Sequence, residues 1–194
     1  MLRQEATRVL VCVDLQSKFV ADTRLPAAER DEILSNCGEL LALWRRDLLP
    51  VMHLKRIAQP DWFDPDTRSA DWIPKLRPRP GEMVFEHPLP SAYSSARFAD
   101  YMSSMREVRC VMVGFSLDEA MLATAVEGFH RSHRYELVGD AAACVRQEGA
   151  EAASYRLAVL EITSRFATVR TILDYRVPGR TGALNFSSLR GPPR

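Results

Sequence analysis

Arg8-Val9-Leu10-Val11-Cys12-Val13-Asp14 is the stretch on which the fold turns. It is an apolar run long enough for one strand, and it stops at a carboxylate. Short apolar runs of this kind recur along the chain with helical patterns between them, which is the signature of a parallel sheet wound on both faces. After Pro26 the residues Ile33, Leu34, Cys37, Leu40, Leu41 and Trp44 recur on one helical face. Pro50 opens a second strand, Val51-Met52-His53-Leu54, and Met83-Val84-Phe85 makes a short third. Phe98, Tyr101, Met102 and Met105 mark a helix that leads into the strand Cys110-Val111-Met112-Val113. Met121, Leu122, Ala125, Val126 and Phe129 mark the next helix, and Tyr135-Glu136-Leu137-Val138 the fifth strand. A helix from Ala150 to Ile162 and a strand from Ala167 to Leu173 complete the series.

The pattern predicts an α/β fold: a three-layer α/β/α Rossmann-like sandwich on a mainly parallel sheet of roughly six strands. One domain covers residues 1–173. From Asp174 onward Gly, Pro, Ser and Arg dominate, so residues 174–194 are expected to form an extended or disordered tail.

Composition narrows the function classes. With 26 Lys and Arg against 25 Asp and Glu, the net charge of +1 supplies no global field for nucleic acid or a membrane surface. No apolar run approaches the roughly 20 residues of a membrane span, and the N-terminus lacks a signal-peptide pattern, so the cytoplasm is expected. Cys12, Cys37, Cys110 and Cys144 form no CxxC pair and sit in or beside apolar elements, which reads as buried, inert thiol.

In open parallel sheets ligands bind beyond the carboxyl ends of the strands, near the point where strand order reverses. Asp14, the segment around His87 and the turn from Gly114 to Ala120 all follow strands and can converge on one cleft. Ser116-Leu117-Asp118-Glu119 reads as a capping box at the start of a helix. The stretch from Arg56 to Glu82 lacks steady periodicity and reads as a functional or disordered loop. Its Trp62, Phe63 and Trp72 could wall a substrate pocket or seal a subunit interface.

Four segments together resemble the isochorismatase-like, or cysteine hydrolase, superfamily. They are Val11 to Phe19, Gly81 to Tyr93, Gly114 to Ala125, and Val138 to Ala141, and the likeness spans roughly Arg8 to Thr171. The resemblance implies an Asp–Lys–Cys triad in cysteine-using members, with the thiolate attacking an amide or imide carbon. Asp14 stands at the family Asp. The lysine position, three residues before Ser91-Ala92-Tyr93, holds His87, and the nucleophile position, six residues after Gly114, holds Ala120. A methyl group cannot attack, so thiolate chemistry at that position is excluded.

The resemblance further implies that the turn before Ala120 forms an oxyanion hole, often with a non-proline cis peptide, here Phe115–Ser116. Relatives without the cysteine, isochorismatases among them, are thought to protonate a vinyl ether through the Asp. Phe19, Trp62, Tyr93, Phe115 and Ser116 are the expected substrate-binding residues. No cofactor is expected. His53 lies where metal-using relatives place ligands, but Lys55 follows where a second ligand would be needed, so no metal is expected either. A homodimer or homotetramer is the common assembly of such relatives. Two functions follow: a hydrolase for a small carbonyl or enol-ether compound, with Asp14 and His87 moving protons, or an inactive member that binds a small ligand or a protein partner.

Overall fold

The computed structural model describes residues 7–22, 25–57, 68–105, 107–144 and 152–176. Strand β1 (Thr7–Val13) leads through the short helix α1 (Ser17–Asp22) to the long helix α2 (Ala27–Arg46) and then β2 (Val51–Arg56). β3 (Met83–His87) is followed by α3 (Ala96–Ser104), β4 (Val108–Phe115), α4 (Leu122–His130) and β5 (Arg134–Ala143). α5 (Ala152–Thr163), β6 (Thr168–Arg170) and the single turn α6 (Leu173–Arg176) end the described chain. The six strands form one parallel sheet in the order β3-β2-β1-β4-β5-β6. The expected architecture is the observed one.

Alternating side chains of the central strands feed two separate cores, as the twofold strand period requires. Leu10, Cys12, Val111 and Val113 pack with Ile33, Cys37, Leu40, Leu41 and Trp44 of α2. Val9, Val11, Val13 and Met112 face the other way, onto Phe98 and Met102 of α3, Ala125 of α4 and Leu160 of α5. Both faces of the sheet are therefore covered, which is why the strands read as continuous apolar runs. α2 is also fixed to β5, where Asn36 Nδ2 donates to the Asp140 carbonyl at 2.7 Å.

Several boundaries differ from the sequence reading, β5 most of all, which runs to Ala143, well past Val138. β2 runs two residues past Leu54, to Arg56. β6, at the sheet's edge with β5 as its partner, is only three residues long. Asp174, where composition places the start of a tail, sits in α6 and its carboxylate accepts from the Thr171 amide at 2.9 Å. The remainder of the expected tail, from residue 177, lies outside the described residues.

The chain builds outward from β1 to β2 and β3, then returns to place β4 on the other side of β1. Strand order thus reverses between β1 and β4. Their carboxyl ends, Asp14 and the turn after Gly114, border the crevice where α/β sheets hold ligands.

Candidate active site

Two backbone features shape that crevice. Asp14 has φ 47°, a left-handed conformation that Asp tolerates better than most residues, and it swings the chain out of the strand. Its amide still donates to the Leu54 carbonyl at 3.1 Å, so the kink stays tied to β2. Gly114, the register partner of Val13, has φ 117°. A Cβ there would lie 2.1 Å from the Val13 carbonyl oxygen. Only glycine lets β4 close on β1 at this point.

His87 ends β3, two strands away from Asp14, and its side chain reaches over the end of β2. Nε2 lies 2.8 Å from Asp14 Oδ1 and Nδ1 lies 2.7 Å from the Leu89 carbonyl oxygen. Both side chains are fully buried. A carbonyl oxygen can only accept, so Nδ1 must carry a hydrogen, which fixes the ring's orientation. The second contact then holds one more proton, either on Nε2 facing a carboxylate or on the carboxyl facing Nε2. Burial opposes a charged imidazole, but Asp14 and the Leu89 carbonyl outweigh it and raise the His87 pKa above its ordinary value. The other carboxylate oxygen, Asp14 Oδ2, is buried without a hydrogen-bond partner.

Arg56 is the site residue that the sequence reading missed. It is the register partner of His87 on β2, and its charge is close enough to oppose protonation of that ring. Its guanidinium is largely covered; Nη2 lies 3.4 Å from Glu119 Oε1 and Nε is buried without a partner. Its backbone is held on both sides by the fully buried Gln16, whose Oε1 accepts from the Arg56 amide at 2.8 Å. Gln16 Nε2 donates to the carbonyls of Arg56 and Ala70, each at 3.2 Å. The available signal was the strand's length: two more residues on β2 place Arg56 at a carboxyl end, beside Asp14 and His87.

Ala120 lies in the same core layer as Val13 and Phe85 and is 2% exposed. The peptide Phe115–Ser116 is cis, as the resemblance implied. The capping box does not form. The chain enters α4 through a wide π-type turn, Leu117–Met121, and the Ser116 side chain makes no capping bond. In such a turn the acceptor is main chain: the Ser116 carbonyl takes the amides of Glu119 at 3.3 Å and Met121 at 3.0 Å, passing over that of Ala120. Glu119, released from a capping role, faces Arg56 instead.

The expected substrate-binding residues do not assemble around this pair. Phe19 and Phe115 stack on each other, with ring centroids 6.2 Å apart, in the core on the α2 side. Tyr93 belongs to the opposite core, and its hydroxyl contacts Tyr135 Oη at 2.7 Å and His133 Nδ1 at 2.6 Å, toward the amino ends of the strands. Aromatic packing accounts for all three. Ser116 is buried at the cis bond, and Trp62 and Phe63 lie outside the described residues. Trp72 stands edge-on to His53 at 5.7 Å.

His53 itself is engaged: its Nε2 lies 2.9 Å from Glu82 Oε2, and Glu82 also takes a two-pronged contact from Arg45 at 2.7 and 2.9 Å. Among the described residues no three of His, Cys, Asp and Glu converge so as to hold a metal ion. The four cysteines form no disulfide and are buried. Burial pushes the Cys110 thiol up to about 12, and with nearby Asp140 and Asp118 respectively does the same to Cys37 and Cys144. Cys12, on the α2 side of the sheet, is also raised well above its ordinary value, first by burial. None is a ready thiolate.

Comparison with known proteins gives a consistent result. Residues 8–174 match the isochorismatase domain model. A secreted isochorismatase effector from the fungus Verticillium dahliae is 24% identical over 169 residues, covering 86% of this chain and 88% of that protein. Among solved structures, an isochorismatase from Pseudomonas putida KT2440 superposes with a TM-score of 0.77 at 22% identity, over 87% of this chain and 90% of its own. N-carbamoylsarcosine amidase from Thermoplasma acidophilum gives 0.65 at 22% identity, over 86% and 96%. With the switch-point crevice, the Asp at the end of β1 and the turn after Gly114 in place, the chain belongs to the isochorismatase family.

Proposed function

We propose that this chain is a cysteine-independent hydrolase for a small enol-ether or carbonyl compound, in which Asp14 exchanges the proton it shares with His87. The reading rests above all on one observation: a sealed carboxylate–imidazole pair whose remaining oxygen, Asp14 Oδ2, has no partner in the protein. A buried carboxylate oxygen left bare is costly, and a substrate atom that gives or takes a proton there would satisfy it.

For an enol ether the step balances without a nucleophilic side chain. Asp14 delivers a proton to the terminal alkene carbon, and the cation that forms is stabilised by the ether oxygen. Water adds to the carbon that bears the ether oxygen and loses a proton, which returns to the Asp14–His87 pair. The resulting hemiketal collapses to a ketone and an alcohol. The Ala120 amide, which the Ser116 carbonyl passes over, would receive an oxygen of the substrate, a role that survives loss of the family's thiol. Arg56, with an unpartnered Nε beside His87, favours a substrate that also carries a carboxylate. Four cysteines without a disulfide suit a reducing compartment, in keeping with the cytoplasm.

The test is turnover of a panel of enol ethers and small amides, with and without a carboxylate, by the wild type, Asp14→Asn and His87→Gln. Turnover of a carboxylated enol ether that both substitutions abolish is expected. No turnover of any member, or undiminished turnover by Asp14→Asn, would sink the reading.

A further inference from the structure

A second cavity, of about 680 Å³, lies at the opposite end of the sheet, around the amino ends of β4, β5 and β6. Its size is that of a small-ligand pocket. Its charge is one-sided. Arg109, Arg134, Arg165 and Arg170 line it, and Glu136 is the only carboxylate among the described lining residues.

That carboxylate is already occupied. Glu136 is nearly buried; its Oε1 lies 3.2 Å from Arg109 Nη1 and 3.6 Å from Arg170 Nη2, and its Oε2 accepts from the Tyr175 hydroxyl at 2.7 Å. Arg109 and Arg170 are thus held in place around one negative charge, leaving the group net positive. Arg134 and Arg165 are exposed and have no ion-pair partner among the described residues. Sequence beyond Arg176 adds Arg180, Arg190 and Arg194 but no Asp or Glu, so it brings no acidic side chain to them.

Beside these cations the same cavity presents an aromatic wall. Phe129, at the end of α4, is 53% exposed and meets Phe166 edge-on, with centroids 5.8 Å apart. A large apolar ring left in water beside guanidiniums that no described carboxylate pairs suits a ligand that joins a flat ring to several negative charges.

We propose that this cavity binds a nucleoside di- or triphosphate, its base packed on Phe129 and Phe166 and its phosphates against Arg134 and Arg165. Arg109 and Arg170, fixed by Glu136, form the floor that holds the surplus positive charge. The site is separate from the Asp14–His87 pair and does not depend on the function proposed there.

Calorimetric titration of the full chain with ATP, ADP, adenosine and inorganic tripolyphosphate tests it, alongside size-exclusion chromatography of every variant. ATP and ADP should bind saturably, and adenosine far more weakly. Arg134→Ala/Arg165→Ala should weaken ATP by on the order of a hundredfold, from two lost charge-assisted contacts. Phe129→Ala should weaken ATP about tenfold, as loss of base stacking does, and leave tripolyphosphate unchanged. All three positions are exposed, so these variants should keep the wild-type melting temperature. The proposal is overturned if ATP shows no saturable binding at millimolar concentration, or if the double variant binds it as well as wild type. Tripolyphosphate binding as tightly as ATP would also overturn it, as would a Phe129→Ala variant that changes oligomeric state, since the ring would then belong to a subunit interface.

Discussion

His87 Nε2 and Asp14 Oδ1 meet at 2.8 Å although the strand β2 separates the strands that carry them. The contact spans two strand spacings, about 10 Å of backbone separation, and forms where Asp14 leaves its strand with a left-handed kink. The pair therefore measures how β1, β2 and β3 are stacked at their carboxyl ends, and its charge state is linked to folding.

The link has a definite sign. The folded state raises the His87 pKa above the ordinary 6.5, so the stabilisation is fully present below about pH 6.5 and is lost as pH rises through the folded value. Urea unfolding of wild type and His87→Gln between pH 5.5 and 9 should show a stability difference that shrinks toward alkaline pH. A difference that stays flat over that range would mean that the imidazole is never charged.

Asp14 should respond differently to two substitutions. Asp14→Asn keeps an oxygen toward His87 and a residue type at ease with positive φ, so the fold should lose little, while turnover falls by about a hundredfold or more because the exchangeable proton is gone. Asp14→Ala should lose the same activity and in addition roughly 2–4 kcal/mol of stability, from a left-handed alanine and an unpaired buried imidazole. Thermal melts and a single kinetic assay separate the two.

Gly114→Ala is expected to be among the most damaging small changes in the protein. The added carbon would lie 2.1 Å from a main-chain oxygen of Val13, and φ 117° is strained for any L side chain. A loss of at least about 3 kcal/mol follows from the strain and the forced separation of β1 from β4. Chemical denaturation measures it; a loss under about 1 kcal/mol would mean that the two strands part more easily than their packing indicates.

Acid stability should depend on Glu82. Burial alone would raise its pKa, but bonds from Arg45, the Arg79 amide and His53 more than offset this and bring it down to about 2. A depressed carboxylate stabilises above its unfolded value, near 4.5, and that stabilisation is lost as pH falls toward 2. Arg45→Met should flatten the fall in stability between those limits, which circular dichroism on acid titration can follow. An unchanged acid transition would assign the effect to other carboxylates.

Most of the architecture could be read from the chain because both sheet faces are covered. Val9 to Val13, Val51 to Leu54 and Cys110 to Val113 announce themselves as apolar runs, and α2 by its one-sided periodicity. What lay past the apolar part of a strand was harder to see. Arg56 sits on β2, but its charge made Leu54 look like the end. Ser116 and Glu119 have the spacing of a capping box, yet the π-type turn gives the amides a main-chain acceptor, and local pattern carries no sign of that. Asp14 and His87 were legible as strand-end residues that pair in one cleft; the kink at Asp14 that turns the carboxylate toward β3 was not. Phe19, Tyr93 and Phe115 carry a packing role that local pattern does not announce. Their place in sequence blocks drew them toward the site, whereas their rings serve the two cores.

The four sealed thiols give the molecule a built-in clock. Cys12 and Cys37 lie in one core, and Cys110 and Cys144 in the other. A thiol reagent can reach any of them only when that layer opens, so the order in which the sulfurs are labelled would rank the two halves of the sandwich by how often each comes apart.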